Sequence, residues 1–285
     1  MPDALPLSLL LALFAAPQDT GDPRALLREL VEAQKAPGAE APPPPARGFE
    51  LELVLTEQEH SVNALEIRLA YVDYDGGLYR AELRDLGEGT KVRKGYDGET
   101  WWLQSEDGRL TLLEGRDFRN DRQRIEEEMD LCQDFLLFFD LDRLAERARA
   151  LRVEGGDLSS KGLAGVLERG GRPWSFLLQI GEDGLPLAFD LWPPPEEEAG
   201  ASGVPGGEAS GGGQDGASPQ EPADEDAQRI RFRLLEWTEV EGRRVPLFVE
   251  EYRGRRLDRP VRYYEFQRLV WRTPPPRRSF RRPDA

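Results

Sequence analysis

From Phe49 onward the apolar positions fall every second residue. Phe49, Leu51, Leu53 and Leu55 alternate with Glu50 and Glu52, and Leu65, Ile67, Leu69 and Tyr71 alternate with Glu66 and Arg68. A period of two marks strands with one buried and one solvated face, as in antiparallel sheets. The same reading predicts strands at 78–86, 91–96, 99–105, 109–114, 163–169, 174–181 and 185–192, and again at 230–234, 245–252 and 261–271. Asp75-Gly76, Asp97-Gly98, Asp107-Gly108 and Asp183-Gly184 punctuate them, as does Glu241-Gly242. Asp and Gly tolerate the positive φ that tight hairpin turns require.

Two stretches follow the helical period instead. Asp22-Pro23 is a helix start, and Leu26, Leu27, Leu30 and Val31 give one apolar face to a helix ending near Gln34. Pro42 to Pro45 then form an extended connector. Ile125, Met129, Cys132, Leu136 and Phe139 are spaced four, three, four and three, which places them on one helix face. A second helix is expected after Asp140 or Asp142, with Leu144, Ala148 and Leu151 turned inward and Gly155-Gly156 as its stop.

At the start of the chain, Leu5 to Ala16 is an apolar run too short to span a bilayer and followed by polar Gln18-Asp19-Thr20. It reads as a cleaved secretory signal, so the expected location is periplasmic or otherwise extracytoplasmic, with nothing spanning the membrane once the signal is removed. At the other extreme of polarity, residues 193–228 hold nine acids and no Lys or Arg, with Val204 as the one sizeable apolar side chain. Such a segment buries too little to offset its ordering entropy and is expected to be disordered. The expected organisation is a signal at 1–16, a helix and Pro-rich connector at 17–46, strands and central helices at 47–192, the acidic insertion at 193–228, and strands completing the same domain at 229–285.

Charge and reactive residues narrow the function. The 285-residue chain carries 54 acids against 38 basic residues, a formal charge of −16. That balance disfavours binding to nucleic acid or an anionic membrane. With one histidine, His60, and one cysteine, Cys132, a zinc site is not expected, and Cys132 on the apolar helix face reads as a buried structural thiol. The carboxylate pairs Asp73 with Asp75 and Asp97 with Glu99 sit at turn signals, where Asp serves backbone geometry rather than glycoside hydrolysis. Asp73-Tyr74-Asp75-Gly76 lacks the third acid and the terminal Glu of a calcium loop. No enzymatic role and no cofactor are expected. The basic tail Arg277-Arg278-Ser279-Phe280-Arg281-Arg282 is a candidate surface cover or docking element.

Aromatic residues concentrate beside the predicted strands and in the predicted helix: Trp101, Trp102, Phe135, Phe138 and Phe139. They are candidates for the walls of a hydrophobic ligand cavity, with core filling as the competing reading. Adjacent strand residues point to opposite faces, so one of Trp101 and Trp102 is expected inward and the other outward or beneath a covering segment.

The stretch Gly95-Tyr96-Asp97-Gly98-Glu99-Thr100-Trp101-Trp102, the late Gly242-Arg243-Arg244-Val245-Pro246 and the closing Phe280 to Pro283 together resemble the LolA/LolB-type outer-membrane lipoprotein carrier superfamily, as a remote relative. The resemblance implies an α+β fold, an antiparallel, unclosed half-barrel sheet wrapped over a few helices. It further implies a hydrophobic pocket for a lipid-like ligand or a lipoprotein acyl chain. The alternative expectation is a structural or interaction module of the envelope, with a filled core and a protein partner.

Overall fold

A computed structural model describes residues 21–38, 48–57, 63–73, 77–155, 161–193, 228–254, 257–270 and 277–283. The N-terminal apolar run, His60, Asp75, Trp271 and residues 194–227 of the acidic insertion lie outside these residues.

Helix α1 (Pro23–Gln34) begins where expected: the Asp22 carboxylate accepts a hydrogen bond from the Arg24 amide at 3.0 Å, and Pro23 occupies the first turn. Six strands follow as a meander: β1 (Glu50–Glu57), β2 (Asn63–Asp73), β3 (Leu78–Asp85), β4 (Lys91–Tyr96), β5 (Trp101–Gln104) and β6 (Leu110–Leu112). Two helices, α2 (Arg119–Phe139) and α3 (Leu141–Arg147), carry the chain away from β6. A second meander then runs through β7 (Arg149–Gly155), β8 (Lys161–Arg169), β9 (Arg172–Ile180), β10 (Pro186–Trp192), β11 (Ile230–Val240), β12 (Arg243–Arg253) and β13 (Arg262–Val270). A single-turn 3-10 helix, Arg277–Phe280, comes last.

All thirteen strands form one sheet in the order β6-β5-β4-β3-β2-β1-β13-β12-β11-β10-β9-β8-β7. The two meanders join in the middle, where β1 pairs antiparallel with β13 from Glu50↔Val270 to Glu57↔Arg262. Strands β10 and β11, which flank the acidic insertion, pair directly through Phe189↔Phe232. Twelve spacings of about 4.8 Å would make a flat sheet roughly 58 Å wide. Inward residues of β1, β3, β8, β9, β10, β11, β12 and β13 nevertheless form one core cluster with α2, so the sheet curls around that helix. Its edges, β6 and β7, do not pair with each other. The fold is therefore an α+β half-barrel, antiparallel and unclosed.

The turn chemistry follows the Asp-Gly signals. Asp97 Oδ1 accepts from the amides of Glu99 (3.0 Å) and Thr100 (2.8 Å), and Gly98 takes φ 100°. Asp183 Oδ1 accepts from the Leu185 amide at 3.0 Å.

The region after α2 departs from the expectation. The second helix ends at Arg147, Ala148 turns to extended geometry, and Arg149–Gly155 is an edge strand rather than helix. Leu151 and Val153 pack on the core while Arg152 and Glu154 point away, a period of two that overrides the helical spacing of Leu144, Ala148 and Leu151. Helix α2 also starts at Arg119, ahead of its first apolar signal at Ile125.

Candidate functional site

The expected ligand-binding aromatics divide between two faces. In α2 the last two turns are buried all round: Phe135, Leu136, Leu137, Phe138 and Phe139 are each at most 1% exposed, because this end of the helix runs through the middle of the curled sheet. Phe135 meets Phe138, Phe139, Phe232, Tyr264 and Phe266 at ring-centroid distances of 4.9–6.1 Å. Phe138 also packs on Phe189, and Phe139 on Phe49.

Trp101 shares the α2-facing side. It aligns with Tyr96 and Tyr79 across the ladder and stacks on Tyr96 at 4.3 Å, remaining partly exposed. Trp102 belongs to the row Arg80–Gly95–Trp102–Leu112 and so lies on the opposite, outer face. It is fully buried there, and its indole N–H has no partner among the described residues. On that face the 3-10 helix of the basic tail covers β3: Arg80 donates to the Ser279 carbonyl at 2.8 Å, and Phe280 packs on Leu78.

Gly95 makes room for the indole. A Cβ at this position would stand 2.4 Å from the Tyr79 carbonyl oxygen and 2.8 Å from the Trp102 ring. Gly95→Ala is therefore expected to cost about 1–3 kcal/mol, the usual range for overpacking, and to be read as a lower urea midpoint with an unchanged m-value.

Buried ionic groups flank the aromatic core. On one side Glu251, fully buried, accepts from the Tyr264 hydroxyl and pairs with Arg253, while Arg262 binds Glu57 at 2.8 Å. Burial, with the Glu251 charge beside it, pushes the Tyr264 hydroxyl well up. Nearby, Asp134 of α2 holds the Arg169 Nε with both carboxylate oxygens at 3.0 Å, and Arg169 lies 4.7 Å over the Trp174 ring. On the other side Arg243, 1% exposed, binds Asp140 and Asp142 at 2.8 Å each. Gln34 of α1 completes this junction, donating to the Phe138 carbonyl at 2.7 Å and accepting from the Leu141 amide at 2.9 Å.

Asp134 yields a prediction about pH. Burial pushes its carboxyl up to about 6, against the pull of Arg169, with Asp130 and Glu251 adding to the rise. Between about pH 4 and 6 the folded chain holds a proton that the unfolded chain, with a pKa near 3.9, has released. The stabilising contribution of this proton is complete below about pH 4 and is lost as pH rises through 6. Compared with Asp134→Asn, which cannot titrate, the parent should lose on the order of 3 kcal/mol between pH 4 and 7 in urea melts. A parent-minus-variant difference that is flat across this range would show a carboxylate ionised throughout.

Two clefts among the described residues lie beside α1. A cleft of about 1270 Å³ runs between α1, α3 and the start of β7, walled by Leu27, Val31, Ala145, Ala148 and Leu151 and rimmed by Arg24, Arg28, Glu29 and Arg149. A second cleft of about 290 Å³ lies on the other side of α1, against Leu26, Leu30, Ile180 and Gly184. None of Trp101, Trp102, Phe135, Phe138 and Phe139 lines either cleft. The sequence offered little sign of these walls. The α1 face read as core, and β7 read as helix.

Other chemistry is limited among the described residues. No group of three or more His, Cys, Asp and Glu side chains is placed to hold a metal ion, and no helix is long and apolar enough to cross a membrane. Cys132 is buried, and burial pushes its thiol well up. Asp97, from the carboxylate pairs, spends its side chain on turn amides.

The chain is similar to a LolA superfamily protein from Nitrosomonas europaea, with a TM-score of 0.46 and 9% identity, covering 92% of this chain and 98% of that one. It is also similar to MucB, with a TM-score of 0.24 and 16% identity over 93% of this chain and 64% of MucB, so it spans less than two thirds of that protein. A third similarity, at a TM-score of 0.19 and 18% identity over 86% of this chain and 93% of that one, is to a chain of the Pseudomonas aeruginosa MucA/MucB complex. No protein-family profile matches the sequence, and no curated protein matches it.

Proposed function

We propose that the protein is an exported, non-enzymatic interaction module of the cell envelope that offers the cleft between α1, α3 and β7 to a protein partner. The observation that carries this reading is where the space lies. Phe135, Phe138 and Phe139 are packed against one another and the sheet, whereas about 1270 Å³ stands open beside α1. A ligand entering the interior has to displace aromatic side chains worth several kcal/mol each. A partner entering the cleft displaces only water. Export rests on the apolar run Leu5 to Ala16, and N-terminal sequencing of protein from its native host should begin near Pro17.

Site-specific photo-crosslinking in the native envelope tests the partner. A benzoylphenylalanine at Ala145, exposed in the cleft, should give a discrete protein adduct, while the same group at exposed Leu187 of β10 should not. Equal adducts at both positions, or none at Ala145, would sink the reading.

The apolar wall formed by Leu27, Val31, Ala148 and Leu151 favours a second reading, in which the cleft holds a lipid-like molecule or a lipoprotein acyl chain. This reading expects co-purified lipid in native mass spectrometry. It also expects a fluorescent fatty acid to bind, with at least tenfold loss when Ala145→Trp fills the cleft.

A further inference from the structure

Among the described residues the sheet ends on β7, and an edge strand presents every second N–H and C=O to the side away from its neighbour. The two edges of this half-barrel differ. Strand β6 is 3 residues long, whereas β7 has 7, long enough to template another strand. The register of β7 shifts between Arg149 and Arg152, where Ala150 takes φ 49°. From Arg152 to Gly155 the ladder with β8 is regular. The strand contains no Pro and no Lys, residues that commonly blunt a free edge, while the bulge at Arg149–Arg152 confines the regular template to Arg152–Gly155. The large cleft opens beside its first residues, so a chain laid along β7 passes over the apolar wall of Leu27, Val31 and Leu151.

Charge selects what that chain carries. The protein bears a formal −16, but nine of its acids lie in residues 193–228, so the rest of the chain is only mildly acidic. The cleft beside β7 is lined by Arg24, Arg28, Lys35 and Arg149 against Glu29, Glu32 and Asp142, which leaves a small positive balance. Arg24 and Arg149 are exposed with no ion-pair partner among the described residues, and Arg28 reaches an acid only at 3.7 Å, in Asp22. Arg152 pairs with Glu154, but that pair is exposed and weak enough to be exchanged.

We propose that β7 takes up an extended acidic segment of a partner protein as an added strand, with an apolar side chain seated on Leu27, Val31 and Leu151 and carboxylates meeting Arg149 and Arg152. The proposal rests on the interaction-module reading and assigns its contact. Main-chain hydrogen bonds would supply affinity, and the cleft and arginines would supply selectivity.

A degenerate library of ten-residue peptides selected against the full chain tests it. The enriched peptides should alternate Asp or Glu with Val, Ile or Leu and lack Pro. The best of them should slow amide hydrogen exchange at 149–155. Arg149→Glu should weaken it at least tenfold, and exchanging one peptide Glu for Lys should restore binding to that variant. Enrichment of basic peptides, protection outside β7, or indifference to Arg149→Glu overturns the proposal. So does protection of β7 in the free chain that vanishes when residues 193–228 are replaced by a Gly-Ser bridge, since the chain's own acidic segment is then the occupant. Competition by a second copy of the chain overturns it likewise. Protein adducts at Ala145 without slowed exchange in β7 would leave the interaction module standing and remove only the added strand.

Discussion

Phe135→Ala should destabilise the protein by about 3–5 kcal/mol, the range for deleting a large aromatic from a packed core. The side chain is 1% exposed and meets five aromatic rings, from α2 itself and from β11 and β13. Truncation leaves a void that surrounding strands, locked in one continuous ladder, cannot collapse to fill. Trp101→Ala is the built-in comparison. Part of that ring already faces water, so its loss should cost about 1–2 kcal/mol. Urea melts of both variants, with a fatty-acid probe titrated into the parent, separate a filled interior from a ligand cavity. A loss below about 1 kcal/mol at Phe135, together with probe uptake by the parent, would mark Phe135 as a cavity wall and return the function to a lipid carrier.

The second large effect is expected at Arg243. Its guanidinium and the Asp140 carboxylate are each 1% exposed, and removing one member strands the other charge away from water. Arg243→Ala should therefore cost about 3–5 kcal/mol. The double change Arg243→Met with Asp140→Leu should recover part of the loss, because burying two apolar groups carries no desolvation penalty; the remainder is the cap that Asp140 gives α3 through the Asp142 amide at 3.2 Å. The damage should also spread to α1. Lys35 bridges Arg243 through the backbone, and the Ala36 amide donates to the Gly242 carbonyl at 3.0 Å. Faster hydrogen exchange across Pro23–Gln34 in Arg243→Ala would show that this ion cluster positions the helix beside the cleft. Unchanged exchange there would show that α1 is held by its apolar face alone.

Much of this architecture was legible in the alternation. Leu51, Leu53 and Leu55 face the core as their spacing requires, and the Asp97, Asp107 and Asp183 turns use their carboxylates on local amides. These are local properties, decided within a few residues. Strand β7 was missed because Leu151 satisfies two periods at once, three residues after Ala148 and two before Val153, and only the available partner β8 decides between them. The first turns of α2 carry no apolar period because Arg119 to Arg124 are largely exposed. Pairing rules placed Trp101 and Trp102 on opposite faces, but which faces inward depends on the curl of the whole sheet. The cleft was illegible for a related reason. Its walls come from α1 on one side and from α3 and β7 on the other, more than a hundred residues away in sequence, and no local pattern records that they meet.

The central seam fixes the order in which the molecule can be completed. Strand β1 waits for β13, a partner about 220 residues downstream at Glu50↔Val270, while the remaining strand pairs join neighbours in sequence. As the chain emerges from a ribosome or a translocation pore, each meander can zip up on its own, but the two half-sheets stay unjoined until the last strand arrives. Until then β1 and β12 are both free edges lying next to apolar inner faces. The period before β13 arrives is when the chain is most exposed to aggregation, and when a chaperone has the most surface to hold.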